Sequence, residues 1–167
     1  YVTTRVDPAK LRSEVPWLGD EFFEKCVIDA TQSKYSPAEN TSMEKVLRTI
    51  RYASLPEFIR HIYDVTEEED VENPYLVIDS WDSVLSSIKT SEKEMERGLI
   101  ELARTRGVNL VLITEYYGIR ALDFIVDGVI ELKRKTEDGN LIRTLYIEKL
   151  RSTPITVSYT HLRAHET

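Results

Sequence analysis

A single cysteine, Cys26, excludes an intrachain disulfide and any zinc site built from cysteines. Val27 and Ile28 beside it read as strand, so the thiol is expected to be buried and inert. No apolar run approaches the ~20 residues that cross a bilayer. The longest, such as Val108 to Ile113, have the length of buried strands. No membrane partner is therefore expected, no signal peptide is visible, and the setting read from this is cytoplasmic. Cations are outnumbered, with 22 Lys and Arg against 29 Asp and Glu and a net charge of −7. Phosphate neutralisation needs clustered cations, so this balance weighs against a nucleic-acid binder without excluding a local basic patch. The composition is otherwise that of a soluble globular chain, 41% hydrophobic and 31% charged, and 167 residues are enough to bury a core.

Apolar runs alternate with helical patterns, which predicts an α/β fold with βαβ units and a mainly parallel sheet flanked by helices. Tyr1 to Thr4 reads as the first strand. Asp7 then suits an N-cap, Pro8 the first helical position, and the helix runs to about Val15. Trp17 is expected to anchor the loop that follows. Lys25 to Asp29 reads as a second strand, and Thr41 or Ser42 opens a helix with Met43, Val46, Leu47 and Ile50 on one side. Leu55, Phe58, Ile59, Ile62 and Tyr63 repeat at helical spacing, with His61 at the boundary of the stripe. Met95, Leu99, Leu102 and Ala103 mark another helix, closed by Gly107, before the strand Val108 to Thr114. Val129 to Lys135 and Leu141 to Lys149 flank the turn Glu137-Asp138-Gly139-Asn140, which predicts an antiparallel hairpin at the sheet edge.

The chemistry concentrates on Tyr75-Leu76-Val77-Ile78-Asp79-Ser80. A buried parallel strand ending on Asp79 sets a carboxylate at its C-terminal end, where ligands bind in open α/β sheets. Such an aspartate can associate with Mg²⁺ at a nucleotide phosphate, or simply cap the next turn.

Tyr75 to Ser87 resembles the Walker B region of the RecA superfamily, in its KaiC-like and RadA-like branch. Val108 to Glu115 resembles the next core strand, Leu122 to Leu132 the L-x-x-x-x-D-G-V-I-x-L run that opens the terminal hairpin, and Arg143 to Thr153 the closing strand with its K-x-R end. The likeness covers about residues 75–153, more loosely Tyr1 to Pro8, and is most like the KaiC-like proteins related to the gas-vesicle regulator GvpD. It implies a RecA-like domain over residues 1–156 that handles ATP and Mg²⁺. It gives Asp79 the metal-associated role, with Ser80 beside it, and makes Thr114 and Glu115 sensors of the γ-phosphate. Lys149 and Arg151 would reach the nucleotide of a neighbouring subunit; the alternative is two solvated cations on an edge strand. A homo-oligomeric ring or filament is the implied assembly, with a protein partner as a further option.

Two departures from the pattern matter. No G-x-x-x-x-G-K-S/T run occurs, so the amide cradle and phosphate-binding lysine are expected outside these residues, and the chain alone should bind ATP poorly. The acidic pair usual at the end of the first strand is replaced by Thr3-Thr4-Arg5-Val6-Asp7-Pro8, leaving no glutamate for a general base. Three functions stay open: an ATPase, a nucleotide-dependent switch without useful turnover, and a recombinase relative that binds single-stranded DNA. The acidic balance disfavours the last, and Tyr116-Tyr117-Gly118 reads as a packed loop rather than a base-stacking platform.

Residues 157–167 resemble the in-frame translation of a sequencing-library adapter and are expected to lie outside the native fold. His161 and His165 fall here, and their spacing alone does not make a metal site.

Overall fold

A computed structural model describes residues 1–31, 50, 54–68, 73–88, 92–115, 121–137, 139–154 and 159–162. The chain divides into two compact units, residues 1–117 and 118–167. The helix expected from Thr41 or Ser42, and Tyr116-Tyr117-Gly118, lie outside the described residues.

The first unit is a parallel sheet with helices. Its strands are β1 (Val2–Thr3), β2 (Ile28–Asp29), β3 (Tyr75–Asp79) and β4 (Asn109–Ile113), in the order β2-β1-β3-β4. β2 is shorter than expected because Lys25 and Cys26 complete a helix, α2 (Gly19–Cys26), which carries acidic residues in its first turn and Lys25 in its last. Before it, α1 (Pro8–Glu14) begins as the sequence predicts: the Asp7 carboxylate accepts the Ala9 N–H at 2.8 Å, and Pro8 occupies the first turn. Two expectations fail in this stretch. Trp17 sits in the short 3₁₀ turn Pro16–Leu18 and is 76% exposed, and Cys26 ends α2 on its solvent side rather than entering the strand. A three-residue pattern cannot tell a helix end from a strand start, and here the helix wins.

The core is built by α3 (Leu55–Glu68), α4 (Trp81–Ser87) and α5 (Glu92–Arg106). Phe58 and Ile62 of α3 and Leu99 of α5 are completely buried, as the apolar spacing predicts, with His61 half-buried at the margin. Phe58 also packs near Trp81, ring centroids 6.4 Å apart. Each such side chain contributes about 1.5–3 kcal/mol by leaving water. A Cβ on Gly98 would come within 2.9 Å of Ile59 Cδ1, so this glycine lets α3 and α5 approach closely. Gly107 closes α5 with a φ of 65°.

The second unit holds α6 (Ala121–Ile125), β5 (Gly128–Glu137), β6 (Asn140–Leu150) and β7 (Tyr159–Leu162). The predicted hairpin is present, turning at Gly139 with a φ of 79°. Its ladder is separate from that of the parallel sheet, and β7 completes a three-stranded antiparallel sheet in the order β5-β6-β7. β7 falls in the adapter-like segment expected to stand apart. Its pairing from Arg143↔Leu162 to Tyr146↔Tyr159 follows from the unpaired outer edge that β6 offers to any extended chain.

Candidate functional site

Topology selects the C-terminal ends of β1 and β3. The chain leaves β1 toward β2 on one side and leaves β3 toward β4 on the other. The outgoing connections of these two neighbouring strands diverge, which opens a crevice between their C-terminal ends. Asp79 closes β3 at this point, and Thr4 and Arg5 follow β1.

The backbone around Asp79 and Ser80 is held from β1. Thr4 N–H donates to the Asp79 carbonyl at 2.7 Å. The Thr4 hydroxyl accepts the Ser80 N–H at 2.7 Å and donates to the Ser80 carbonyl at 2.9 Å, all within buried surroundings. Ser80 then caps α4: its Oγ accepts the Ser83 N–H at 3.3 Å, and the Ser83 hydroxyl donates back to the Thr4 carbonyl. The Asp79–Ser80 peptide is cis. Thr4 therefore clamps the residue after the carboxylate, and Trp81, the next residue along, is completely buried.

Asp79 itself is half-buried, and its Oδ2 accepts the Tyr1 hydroxyl in a short hydrogen bond. Burial, followed by the hydrogen bond to Asp79 and its negative charge, pushes the Tyr1 phenol well above its ordinary pKa of 10.0. The protonated phenol donates to the carboxylate and so fixes its orientation.

Thr114 and Glu115 follow β4 and are exposed. The Glu115 N–H donates to Asp82 Oδ2 at 2.6 Å, fixing the start of this loop against the first turn of α4. The Glu115 side chain forms an ion pair with Arg5. Asp79, Ser80, Thr114, Glu115 and Arg5 thus stand along one end of one sheet, although the partners that join them lie from 33 residues apart (Asp82 and Glu115) to 110 (Arg5 and Glu115, 115 − 5).

Lys149 and Arg151 belong to the second unit and do different work from one another. The Lys149 ammonium donates to the carbonyls of Asp123 (2.9 Å), Val126 (2.6 Å) and Phe124 (3.4 Å), closing the C-terminal turn of α6 where a positive charge is favoured. Arg151 Nη1 pairs with Asp127 Oδ1 at 3.0 Å, and its N–H bonds the Asp127 carbonyl at 2.7 Å. Asp7, the other carboxylate near β1, is engaged as the α1 cap.

The donor set at the end of β3 is hard oxygen, which suits Mg²⁺ held through water. Among the described residues no group of three or more His, Cys, Asp or Glu is placed to hold a metal, so the ion would depend on Asp79 and on phosphate oxygens. The fit ends there, because the 167 residues contain no glycine-rich lysine loop to cradle a triphosphate. Sequence reasoning singled out Asp79, Thr114 and Glu115, which the fold brings to the same sheet end. It missed Tyr1, Asp82 and the clamp made by Thr4, since no local signal marks a partner 76 positions away.

Residues 1–148 match the family described as "GvpD gas vesicle protein, P-loop domain". The chain is 26% identical over 162 residues to Protein GvpD1 of Halobacterium salinarum, covering 93% of this chain and 29% of that protein. It is 37% identical over 87 residues to Protein GvpD2 of the same organism, covering 48% of this chain and 18% of that one. It thus spans under a third of these relatives. Among solved structures, the KaiC-like protein PH0186 of Pyrococcus horikoshii superposes with a TM-score of 0.66 at 24% identity, over 96% of this chain and 70% of that one. Its fold is the RecA-like fold of KaiC-like proteins, and the chain belongs to the family of GvpD gas vesicle protein P-loop domains.

Proposed function

We propose that this chain supplies the metal-associated half of an ATP site, with Asp79 positioning Mg²⁺ through water against the β- and γ-phosphates. The observation that carries this reading is the Asp79 carboxylate at the divergence of β1 and β3, aimed by Tyr1 and fixed through the Thr4–Ser80 clamp. Mg²⁺, when bound, would neutralise phosphate charge; the protein's own part is to hold the carboxylate still. The glycine-rich loop would come from chain outside these residues. β4 offers it a place: this strand ends the described sheet, and its Val111 and Ile113 are 42% and 38% exposed. In this reading Thr114 and Glu115, which follow β4, would sense the γ-phosphate.

Between turnover and switching, the switch is favoured by Arg5. A cation, paired with Glu115, follows β1 at the position where the resemblance implies a carboxylate base. A nucleotide-dependent conformational switch acting through protein partners, in a homo-oligomer, is the reading we adopt, with slow hydrolysis as the second. Of the two cations proposed to reach a neighbouring subunit, Arg151 is the better placed, since Lys149 is committed to three carbonyls.

Binding of ATP to the full-length protein tests this. Mg²⁺ should strengthen binding there, Asp79→Asn should abolish that dependence, and the 167-residue chain alone should bind Mg-ATP poorly. Mg²⁺-independent binding by the wild-type protein, or tight binding by this chain alone, would overturn the assignment. Arg151→Ala should weaken nucleotide binding by the assembled oligomer; unchanged binding removes the intersubunit role.

A further inference from the structure

The Arg5–Glu115 ion pair has a geometry that a chance surface contact would not need. β1 and β4 are not neighbours; β3 lies between them. Their ends are therefore separated by two strand spacings, about 10 Å. Arg5, from the end of β1, spans that interval and meets Glu115, from the end of β4. The pair crosses over the end of β3, the strand that presents Asp79. Arg5 also lies in the field of Asp79 and Asp82, so three carboxylates act on one guanidinium.

Only the Glu115 side chain is free to exchange, because its backbone N–H is tied to Asp82. Both members of the pair are at least half exposed, and exposed ion pairs are weak enough to be given up readily. A guanidinium is also better matched to a phosphate than to a single carboxylate, through bidentate bonding and greater charge.

We propose that Arg5 distinguishes nucleoside triphosphates from diphosphates at this site, leaving Glu115 for a terminal phosphate seated beside Asp79. The proposal rests on the nucleotide-site reading above and adds the residue that reads the ligand's phosphate number. With a diphosphate the phosphate nearest Arg5 is missing and the Arg5–Glu115 strap stays closed. With a triphosphate it opens, and Glu115 is released at the end of β4. The exchange makes and breaks no covalent bond. It converts the presence of one phosphate into the engagement or release of the Glu115 carboxylate.

The test uses the full-length protein, with a non-hydrolysable ATP analogue and ADP, each with Mg²⁺, titrated by calorimetry. Arg5→Ala should weaken analogue binding about tenfold, the value of one lost charge-assisted contact, and ADP binding less than about twofold. Glu115→Gln should tighten analogue binding about two- to fivefold by removing the competing carboxylate, again with little effect on ADP. Arg5→Lys should recover part of the discrimination. If the wild type binds both ligands but Arg5→Ala changes them equally, or changes neither, Arg5 does not read the phosphate and only this proposal falls. If the wild type binds neither, the nucleotide site itself is wrong. Should Arg5→Ala fail to fold, Glu115→Gln decides alone: no gain, or an equal gain for ADP, overturns the proposal.

Discussion

The Thr4 clamp can be tested by changing one atom type. Thr4→Val keeps shape and volume but removes the hydroxyl that accepts the Ser80 N–H at 2.7 Å and donates to the Ser80 carbonyl at 2.9 Å. The two ends are not equally exposed to the loss. The Ser80 carbonyl keeps a second partner, the Ser83 N–H at 3.2 Å, whereas the Ser80 N–H has no other bond among the described residues. Ser80 is 1% exposed and Thr4 5%, so water does not replace the missing acceptor. An orphaned buried N–H costs about 1–3 kcal/mol, and with the weakened carbonyl the expected loss is about 2–3 kcal/mol. Thr4→Ser is the control: it keeps the hydroxyl and loses a methyl, which costs about 1 kcal/mol. Chemical denaturation followed by tryptophan fluorescence suits the measurement. Trp81, next to Ser80, is fully buried with no hydrogen-bond partner for its indole N–H among the described residues, while exposed Trp17 contributes a nearly constant background. If Thr4→Val proved as stable as Thr4→Ser, the hydroxyl would not be holding Ser80, and the account of how Asp79 is positioned would fail.

Three further outcomes are expected. Because folding raises the Tyr1 phenol above its ordinary pKa of 10.0, its stabilisation is complete below that value. It declines as pH climbs further, where the unfolded phenol loses its proton before the folded one does. Ultraviolet titration of the native protein should show one tyrosine ionising late, and Asp79→Asn should advance it; no late phase would exclude the Tyr1–Asp79 bond. Lys149→Met should cost about 1–2 kcal/mol and loosen the chain after α6, seen as faster proteolysis near residues 123–127, because the turn loses its cationic cap. Native Cys26 should react stoichiometrically with a thiol reagent without denaturant, since it is exposed at the end of α2; protection would restore the buried reading.

The amino-acid order determined by itself which segments become which elements wherever a period was long enough to be unambiguous. The stripe through Phe58 and Ile62, the run Tyr75–Asp79, the Asp7-Pro8 helix start and the Gly139 turn are all local patterns, written in side-chain spacing and backbone preference. So was Asp79 as the residue to watch, because a carboxylate ending an apolar strand is a local anomaly. Short segments were not settled this way: Cys26 and Trp17 lay in stretches too brief for a period to form, and packing placed both at the surface. Tertiary structure alone decided what surrounds Asp79. Parallel pairing of β1 and β4 on either side of β3 brought Tyr1, Thr4, Arg5 and Glu115 to one sheet end, across separations no local pattern can encode. It also parted Lys149 from Arg151: Lys149 lies within β6 and bonds the carbonyls that close α6, whereas Arg151 falls one residue beyond the strand and pairs with Asp127.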